Sequence, residues 1–554
     1  MVRPVPISPA LVLALAAACG EASDEARGDL GPPGGIGACT VDADCPTGLT
    51  CDEAGVCVAD DGRPPEEEDD ERPGARPAAS ARHLWVLSPG ADAVTLIDTE
   101  TLALRSIPFP PEPIAVATLP GEEAALVLSG GGRALSLLSR ADGTHSLAVV
   151  DTGRRFDALS LAPDGSVAVL WTPDGVLPAE GAEGLVALVD VDAIRSGEAA
   201  PAVFAAGRRH EAVHFRMEAG TAVDAAIVGK GEIAVFALAG GFAPPERVPL
   251  PDAFADPATR ETVAAPDGSF LLLRSLAAAE LAVFDVATRA LSTVPLPAPA
   301  TDLDVSAEGS LALAVLRGAG QVAVLPLPAA LADPGTIAFA SVDLPGTGCD
   351  EPPCLHPPGQ AALAPDGRVA LLYSNATPTE GFARFDTADG SHVVFDRLEK
   401  WVESIRLSPD GASAVVVHRP DPDSTAADPY EREVDRANGH TAIDLSSGAA
   451  QLKLTGALAP AVVIFAAGGR FAAVPLIGAD GFGLDVIDLQ TLVVQPLPLA
   501  STPAFAGTLP APTPALAHRI WVTQAPPAGR IGIARLDEMR MQTITGFALG
   551  TEVR

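Results

Sequence analysis

Aromatic residues and cations are scarce in this chain of 554 residues. Aromatics make up 4% of it, with two tyrosines and four tryptophans, and the chain has 36 lysines and arginines against 71 aspartates and glutamates. A formal net charge of −35 at pH 7 creates a field that repels polyanions. Nucleic acid and anionic lipid headgroups are therefore disfavoured as partners, whereas cations and basic protein surfaces are favoured.

Sequence motifs of common enzyme classes are also missing. The chain has no G-x-S-x-G turn, no glycine-rich phosphate loop and no C-x-x-C-H haem site. The one enzyme-like motif is HEAVH, from His210 to His214, which matches the zinc-protease pattern H-E-x-x-H. That pattern requires a helix, but this segment aligns with the first strand of a repeated unit, where residues four apart lie roughly 13 Å from each other. Arg208 and Arg209 would also repel a dication, so we expect no metal site and no catalytic residue here.

A short apolar run stands near the start of the chain. Residues 1–18 carry one early cation, Arg3, followed by LVLALAAA. This is the pattern of a secretory signal peptide, and it is far shorter than the roughly 18 residues that span a bilayer. No later run reaches that length. We therefore expect an extracytoplasmic mature protein.

Cys19 directly follows three alanines, residues 16–18. This arrangement resembles the lipobox of bacterial lipoproteins, in which the cysteine becomes the acylated first residue. The resemblance implies a protein of the bacterial cell envelope, periplasmic or surface exposed, attached to a membrane through a lipid on Cys19. The alternative is an ordinary secreted protein that is cleaved near Ala18.

The other six cysteines form a cluster of four with five-residue gaps and a close pair. They are Cys39, Cys45, Cys51 and Cys57, and Cys349 and Cys354. Even numbers are typical of disulfides in an oxidising compartment, whereas zinc knuckles have shorter gaps. Four cysteines allow three pairings, so the connectivity stays open. The cluster resembles the short C-x5-C modules behind the signal sequences of bacterial lipoproteins, and loosely the Dickkopf-type module, which implies no activity.

From residue 82 onward one pattern recurs about every 35 to 50 residues. A short strand leads to a Pro-Asp-Gly turn, a buried strand, a loop, a strand ending in Asp, and a last short strand. The turns read LAPDG at 161 and 363, AAPDG at 264 and LSPDG at 407. Proline presets one dihedral angle, Asp bonds to the local backbone and Gly adopts positive φ. Four short antiparallel strands repeated at this period predict the blades of a β-propeller.

These turns, with third strands such as VTLID and LDVID, resemble those of YVTN and WD40-like propellers. The resemblance implies an all-β fold with about 8 to 10 four-stranded antiparallel blades, in one ring rather than two. We count nine full units and an incomplete first unit. We expect the C-terminal GFALGTEVR to supply the innermost strand that the first unit lacks, which would cover exposed strand edges.

Composition then divides the chain into five segments. They are a signal peptide (1–18), a lipidated flexible tether (19–37), a disulfide-stapled cysteine-rich module (38–58), an acidic proline-rich linker (59–81) and the propeller (82–554). Like charges beside prolines keep a linker extended.

Long loops on a rigid scaffold are where binding residues concentrate. Segments 172–184, 419–438 and 523–529 fall between second and third strands and segment 345–359 falls between two units, so all four are expected on one face. Their candidate binding residues are acidic: Asp174, Glu180, Glu183, Asp421, Asp423, Asp428, Glu431, Glu433 and Asp435. Ca²⁺ is the only cofactor that these acids suggest, although their spacing does not fit an EF-hand. Ordinary surface decoration is the alternative.

Other recurrent residues have structural explanations. Trp85, Trp171 and Trp521 occupy equivalent positions in second strands, which favours packing between blades over a sugar platform. The Asp at the end of each third strand is expected to bond to nearby backbone.

Three functions remain open. The leading interpretation is a non-catalytic binding platform for a protein or cationic partner, held at a membrane by its lipid anchor. The second is an enzyme, because some bacterial propellers of this kind resemble lactonases or quinone-dependent dehydrogenases with a metal at the central channel. The expected channel strands here offer Asp157, Asp302, Asp304 and Glu403 but no matching histidines. The third is a structural or adhesive spacer.

Overall fold

The structure is a computed structural model. It describes residues 49–51, 57–59, 78–141, 144–173, 176, 184–346, 354–377, 379–396, 398–479, 481–511, 513–524 and 529–547. The chain divides into two compact units, Met1–Arg63 and Pro64–Arg554.

The first unit contains one described hairpin. Strands β1 (Leu49–Cys51) and β2 (Cys57–Ala59) pair antiparallel, with Cys51 opposite Cys57. Cys19, Cys39 and Cys45 lie outside the described residues, as do segments 1–18 and 19–37. Lipidation and disulfide pairing therefore stay predictions.

The second unit is a β-propeller of ten four-stranded antiparallel blades in one ring, as the repeats predict. Blade 1 consists of β3 (Ala78–Ala79), β4 (His83–Ser88), β5 (Ala93–Asp98) and β6 (Leu104–Pro108). Blade 2 consists of β7 (Pro113–Thr118), β8 (Ala124–Ser129), β9 (Ala134–Ala141) and β10 (Thr144–Asp151). Blade 3 consists of β11 (Ala158–Leu161), β12 (Val167–Trp171), β13 (Leu185–Asp190) and β14 (Ala202–Ala205).

Blade 4 consists of β15 (Ala212–Glu218), β16 (Thr221–Gly229), β17 (Glu232–Ala237) and β18 (Glu246–Pro249). Blade 5 consists of β19 (Arg260–Ala264), β20 (Phe270–Ser275), β21 (Glu280–Asp285) and β22 (Leu291–Pro295). Blade 6 consists of β23 (Asp302–Val305), β24 (Leu311–Leu316), β25 (Gln321–Pro326) and β26 (Ala338–Ser341). A small hairpin, β27 (Leu344–Pro345) and β28 (Leu355–His356), lies between blades 6 and 7.

Blade 7 consists of β29 (Gln360–Leu363), β30 (Val369–Tyr373), β31 (Phe382–Asp386) and β32 (His392–Phe395), and blade 8 of β33 (Val402–Leu407), β34 (Ser413–His418), β35 (Asn438–Asp444) and β36 (Ala450–Gly456). Blade 9 consists of β37 (Ala459–Pro460), β38 (Ile464–Phe465), β39 (Phe471–Gly478), β40 (Gly481–Asp488) and β41 (Val493–Leu497). Blade 10 consists of β42 (Pro503–Thr508), β43 (Arg519–Gln524), β44 (Gly529–Arg535) and β45 (Arg540–Phe547). In blade 9 both short strands β37 and β38 pair with β39, so its innermost strand is interrupted.

Helices are few. They are α1 (Val191–Ser196), α2 (Ala329–Ala332) and α3 (Pro429–Arg436), with short 3-10 turns at Pro89–Ala91, Asp252–Phe254, Pro257–Thr259, Arg317–Ala319, Pro334–Thr336 and Pro514–Leu516. Among the described residues, none of the helices has the length and apolar character needed to cross a membrane.

Strands within a blade pair in sequence order, and the first strands of neighbouring blades contact each other. The first strand of each blade is therefore the innermost and borders the central channel. Second and third strands are buried nearly throughout, whereas fourth strands are largely exposed at the rim. This burial explains why the second and third strands read as near-continuous apolar runs.

Apolar side chains fill the space between every pair of neighbouring blades. Ten such clusters occur in the described part of the chain. One of them joins the last blade to the first, with Leu84 and Val86 of blade 1 packed against Trp521 and Ile533 of blade 10. The ring is thus closed by the same kind of contact that joins all the other blades.

The prediction for closure of the first blade is wrong. Its innermost strand is β3, paired with β4 at Leu84 and Trp85, so the blade begins at Ala78, before the boundary placed at residue 82. Gly546 and Phe547, the start of the C-terminal segment expected there, belong instead to the outermost strand of blade 10. Residues 548–554 lie outside the described part of the chain.

The turns follow the predicted chemistry. In the turn of blade 3, Asp164 accepts a hydrogen bond from the backbone N–H of Ser166 at 3.0 Å, and Gly165 has a φ of 76°. At the end of a third strand, Asp285 accepts from the N–H of Thr288 at 2.8 Å. The recurrent Asp is thus a structural residue, as predicted. The three tryptophans are buried in second strands.

Candidate functional site

The ring has two faces with different connections. We call the loop face the one that carries the connections between second and third strands and between successive blades, and the turn face the other. Segments 172–184 and 419–437 lie between β12 and β13 and between β34 and β35, and the β27–β28 hairpin joins blades 6 and 7. The connection of residues 419–437 and the β27–β28 hairpin therefore lie on the loop face, whereas residues 174–175, 177–183, 347–353 and 525–528 of the predicted loops lie outside the described residues. Asp174, Glu180 and Glu183 lie outside the described residues.

The loop of residues 419–437 is ordered by its own hydrogen bonds. Asp428 caps α3 by accepting from the N–H of Tyr430 at 2.8 Å. The N–H of Asp421 donates to the carbonyl of Asp435 at 2.8 Å, and Arg436 donates to the carbonyl of Ser424 at 2.8 Å. Two of the candidate acids, Asp421 and Asp435, thus hold the two ends of the loop together through their backbone.

Lys400 holds this loop through hydrogen bonds from the protein interior. Its side chain is buried, and its Nζ donates to the carbonyl oxygens of Val434 at 2.6 Å and Asp435 at 3.0 Å. These belong to the last turn of α3, whose carbonyls have no partner within the helix. Burial lowers the pKa of Lys400 from 10.5 to about 8, against the opposing effect of nearby carboxylates that include Asp435 and Asp421.

Two buried histidines extend the network beneath the loop. His418 Nδ1 lies 3.2 Å from the carbonyl of Trp401 and its Nε2 lies 2.7 Å from Thr441 Oγ1. Burial lowers the pKa of His418 to about 3, so the ring is neutral and can donate from one nitrogen and accept at the other. His440 Nε2 lies 2.9 Å from Asp485 Oδ2, which joins blade 8 to blade 9.

Above this network the loop presents acids and one aromatic ring to solvent. Asp423, Glu431 and Glu433 are exposed. Tyr430, one of the two tyrosines of the chain, is 63% exposed in the first turn of α3. The loop is thus a fixed mount for an exposed aromatic side chain surrounded by negative charge.

Exposed large apolar side chains fall into two sets among the described residues. Eight lie on fourth strands at the rim: Leu104, Leu147, Val149, Val203, Phe339, Val393, Val394 and Val493. The other four all lie on the loop face, on β28, α3 and the β39–β40 hairpin: Leu355, Tyr430, Ile477 and Phe482. The apolar set on the loop face is therefore confined to the sector between blade 6 and blade 9.

Two acids of this loop are already used in its own hydrogen bonds. The Asp428 carboxylate caps α3, and that of Asp435 accepts a hydrogen bond from Ser424 Oγ. Within the described ranges, no group of three or more His, Cys, Asp or Glu side chains is placed to hold a metal ion. Binding of Ca²⁺ by this loop stays a prediction.

The HEAVH segment runs into a strand and not into a helix. His214 lies within β15 (Ala212–Glu218), whereas His210 precedes this strand with its Nε2 3.3 Å from the carbonyl of Ala206. Burial lowers the pKa of both histidines, to about 4 for His214. The motif's glutamate, Glu211, forms an ion pair with the buried Arg260 at 2.8 Å.

The channel carboxylates serve mainly as links between blades. Asp302 and Asp304 of β23 accept hydrogen bonds from the N–H groups of Ala361 at 2.6 Å and Leu363 at 3.0 Å in the first strand of blade 7. Burial raises the pKa of Asp304 well above its usual value, and the nearby charges of Asp302 and Glu261 add to this effect.

The other two channel acids lie in separate blades. Asp157 precedes β11 and accepts from Arg155 Nε at 2.8 Å. Glu403 lies at an irregularity in the pairing of β33 with β34, and its carbonyl accepts from Asn375 Nδ2 at 3.2 Å. The four carboxylates proposed for an enzymatic site thus come from blades 3, 6 and 8 and do not form one cluster in the described structure.

Cys354 begins the described part of the connection to blade 7, just before β28, whereas Cys349 lies outside the described residues. Their pairing stays a prediction.

Comparison with known proteins adds no assignment of activity. No family model and no curated protein matches the sequence. The chain is similar to a solved eukaryotic initiation factor (11% identity, 85% of this chain and 98% of that chain, TM-score 0.49). It is also similar to the β-propeller domain of Cps50 (Swd1) of Myceliophteria thermophila (13%, 61% and 97%, 0.33) and to the dihydro-heme d1 dehydrogenase NirN (15%, 71% and 77%, 0.36). Similarity at this level carries no conclusion about substrate or partner.

Proposed function

We propose that this protein is a non-catalytic binding platform of the cell envelope, which binds a basic protein partner through its loop face. The observation that carries the proposal is the position of the exposed apolar side chains. Apart from those on the rim strands, the exposed large apolar side chains of the described residues all lie on the loop face between blades 6 and 9, the sector that also contains the acidic α3 loop.

The chemistry of this surface favours a partner with both apolar and cationic groups. An exposed tyrosine on a rigid mount gives a large contact area at low entropic cost, as in the centres of many protein interfaces. Glu431 and Glu433 follow Tyr430 in α3 and add negative charge. The overall charge of −35 accelerates the approach of a basic partner.

The α3 loop also has the order that a binding surface needs. Lys400 and the internal hydrogen bonds of the loop fix the backbone before a partner arrives. A loop that is already ordered loses little conformational entropy on binding.

Binding is tested with the immobilised full chain and a lysine-rich amphipathic peptide as the probe. We expect Tyr430→Ala to weaken binding by roughly tenfold or more, the range of an interface residue that contributes over 1 kcal/mol. The double variant Glu431→Gln, Glu433→Gln should mainly slow association and reduce the salt dependence.

Matched controls use equally exposed positions elsewhere. Val393→Ala on the rim and the double variant Glu100→Gln, Glu308→Gln on the turn face should leave binding unchanged, because these residues are exposed but lie away from the loop face. Equal losses in the control variants, or no saturable binding of the peptide, would overturn the proposal.

Attachment to the envelope has its own test. Mass spectrometry of protein extracted from membranes should show an acylated Cys19 as the first residue, and Cys19→Ser should release the chain from the membrane. An unmodified mature chain in the medium would disprove the lipid anchor. The proposed binding surface would then be tested by the peptide-binding experiment alone.

The enzymatic alternative has no specific observation in its favour. Asp302 and Asp304 both accept hydrogen bonds from the neighbouring blade, and the four channel acids come from three different blades.

A further inference from the structure

The innermost strands divide the wall of the channel into two arcs of different character. In five consecutive blades, 9, 10, 1, 2 and 3, these strands read AP and IF, PAFAGT, AA, PIAVAT and ALSL, and none contains a titratable side chain. The innermost strands of blades 4, 5, 6 and 8 contain titratable residues such as Arg216, Glu261, Asp302 and Glu403, and within that second arc only the strand QAAL of blade 7 contains none. One side of the channel is thus uncharged along its first strands.

A solvent-open cavity of ≈ 440 Å³ lies where blades 8, 9, 10 and 1 meet, and three of these blades belong to the uncharged arc. Its walls include Ala79 of blade 1, Pro409 of blade 8, Phe465 and Ala467 of blade 9, and Thr508 and Leu509 of blade 10. Blades 8 and 1 are separated by two other blades, so their residues can meet only where the channel opens. Pro409, Ala467 and Thr508 belong to or border the turns between first and second strands, which places the cavity at the turn face.

The connections that border this space differ in length. The connection between β42 and β43 spans residues 509–518, twice the length of the turn at residues 466–470 in blade 9. The lining combines the short side chains of Ala79 and Ala467 with the larger Phe465 and Leu509.

We propose that this cavity binds an uncharged, mainly apolar small molecule. Its volume lies within the range of about 300–1,000 Å³ that is common for ligand sites. Among the described lining residues Thr508 has the one polar side chain, and it provides one hydroxyl to orient a ligand.

The described lining residues carry no charged side chain, so they offer an ion no counter-charge. A charged group that gave up part of its hydration against this lining would not be compensated. An apolar molecule gains from leaving water in proportion to its buried surface. The site is separate from the binding surface on the loop face, since it lies on the opposite face of the ring.

The test uses a neutral naphthylamine dye whose fluorescence rises in apolar surroundings, titrated into the purified full chain. We expect saturable binding with one site per chain. Ala467→Trp should reduce affinity at least tenfold, because Ala467 is exposed in the free protein and an indole there fills the cavity without entering the core.

Ala307→Trp is the matched control, because Ala307 occupies the equivalent exposed position in the corresponding turn of blade 6, outside the cavity lining. It should bind the dye as the wild type does, and both variants should show wild-type thermal unfolding. A second probe, a cationic derivative of the same dye, should bind at least tenfold more weakly despite the negative charge of the protein.

Three outcomes would overturn the proposal. They are no saturable binding of the neutral dye, equal loss in both tryptophan variants, and equal or tighter binding of the cationic derivative. If Ala467→Trp lowers the melting temperature, Thr508→Asp replaces it, because that substitution adds a charge at an exposed position of the same cavity and should weaken the neutral dye in the same way.

Discussion

The ammonium group of Lys400 lies 2.6 Å from the carbonyl oxygen of Val434, although 34 residues separate them in the chain. This hydrogen bond ties the connection that precedes blade 8 to the last turn of α3. Because α3 carries the exposed face of the proposed binding surface, one buried cation supports the geometry of that surface from inside.

Replacing Lys400 by Met should destabilise the protein by about 1–3 kcal/mol, because two buried carbonyl groups lose their donor while the volume is kept. Urea unfolding measures the loss, and limited proteolysis should show faster cleavage within residues 419–437. Lys230→Met is the control, since Lys230 is exposed and surface changes usually stay within about 0.5 kcal/mol. Unchanged stability of the Lys400 variant would contradict the anchoring role.

The same lysine should affect stability at alkaline pH. Its pKa is about 8 in the folded protein against an ordinary value of 10.5 for lysine, so the unfolded chain binds more protons between these values. Wild-type stability should therefore rise with pH across that interval relative to Lys400→Met. The measurement is the free energy of unfolding of the wild type and of Lys400→Met at several pH values. If this free energy changed with pH equally in the two proteins, the prediction would be wrong.

Buried neutral histidines should weaken the protein in acid. The folded-state pKa is about 3 for His418 and about 4 for His214, both below the ordinary histidine value of 6.5. The unfolded chain takes up these protons first, so stability falls as pH decreases below 6.5. Each histidine lowers the free energy of unfolding by up to about 1.4 kcal/mol for each pH unit of this decrease. His418→Gln should show a shallower decline than the wild type, measured by unfolding between pH 6.5 and 4; an identical slope would argue against a neutral buried ring.

Asp304 should change the free energy of unfolding with pH in the direction opposite to that of the buried histidines. Its folded-state pKa lies well above the ordinary aspartate value of 3.8, so its protonated form is favoured by folding. This contribution is fully present below pH 3.8 and is lost as pH rises through the folded-state value. Asp304→Asn keeps an acceptor for the N–H of Leu363 and should remove that dependence, whereas Asp304→Ala should cost about 1–3 kcal/mol. Equal effects of the two substitutions would show that the hydrogen bond to blade 7 is unimportant.

The contact between blade 10 and blade 1 should be as strong as the others. Leu84 in that contact and Leu272 between blades 5 and 6 are both fully buried. Changing either to Ala should cost about 2–5 kcal/mol, whereas Leu104→Ala at the exposed rim should cost little. Chemical denaturation measures all three. A negligible cost at Leu84 alone would indicate a ring that opens between blades 10 and 1.

Sequence reasoning succeeded where the determining interactions are local. The Pro-Asp-Gly turns specify their own conformation, as Asp164 and Gly165 show, and repeating them sets the blade period. The shared face of the loops follows from antiparallel connectivity alone. The strand context of His214 was also predicted, because its neighbours align with those of other first strands.

The remaining features depend on contacts that are distant in sequence. Lys400, one of three lysines in the chain, has no local pattern, since its acceptors are backbone carbonyls beyond the next two strands. The strand β3 lies in a segment rich in proline and charge and offers only two alanines as a signal. The cavity arises from small side chains in separate blades, which no single repeat reveals.

Closure of the ring by side-chain packing has a consequence for how the chain can be rearranged. All four strands of blade 1 come from one continuous segment, and so do those of blade 10. Each blade is therefore a complete module, and the point at which the polypeptide starts is separable from the architecture of the ring. A circular permutant that joins residue 547 to residue 78 through a short linker and opens between β22 and β23 would keep all ten blades intact. Such a permutant is a practical route to displaying the loop face with new attachment points.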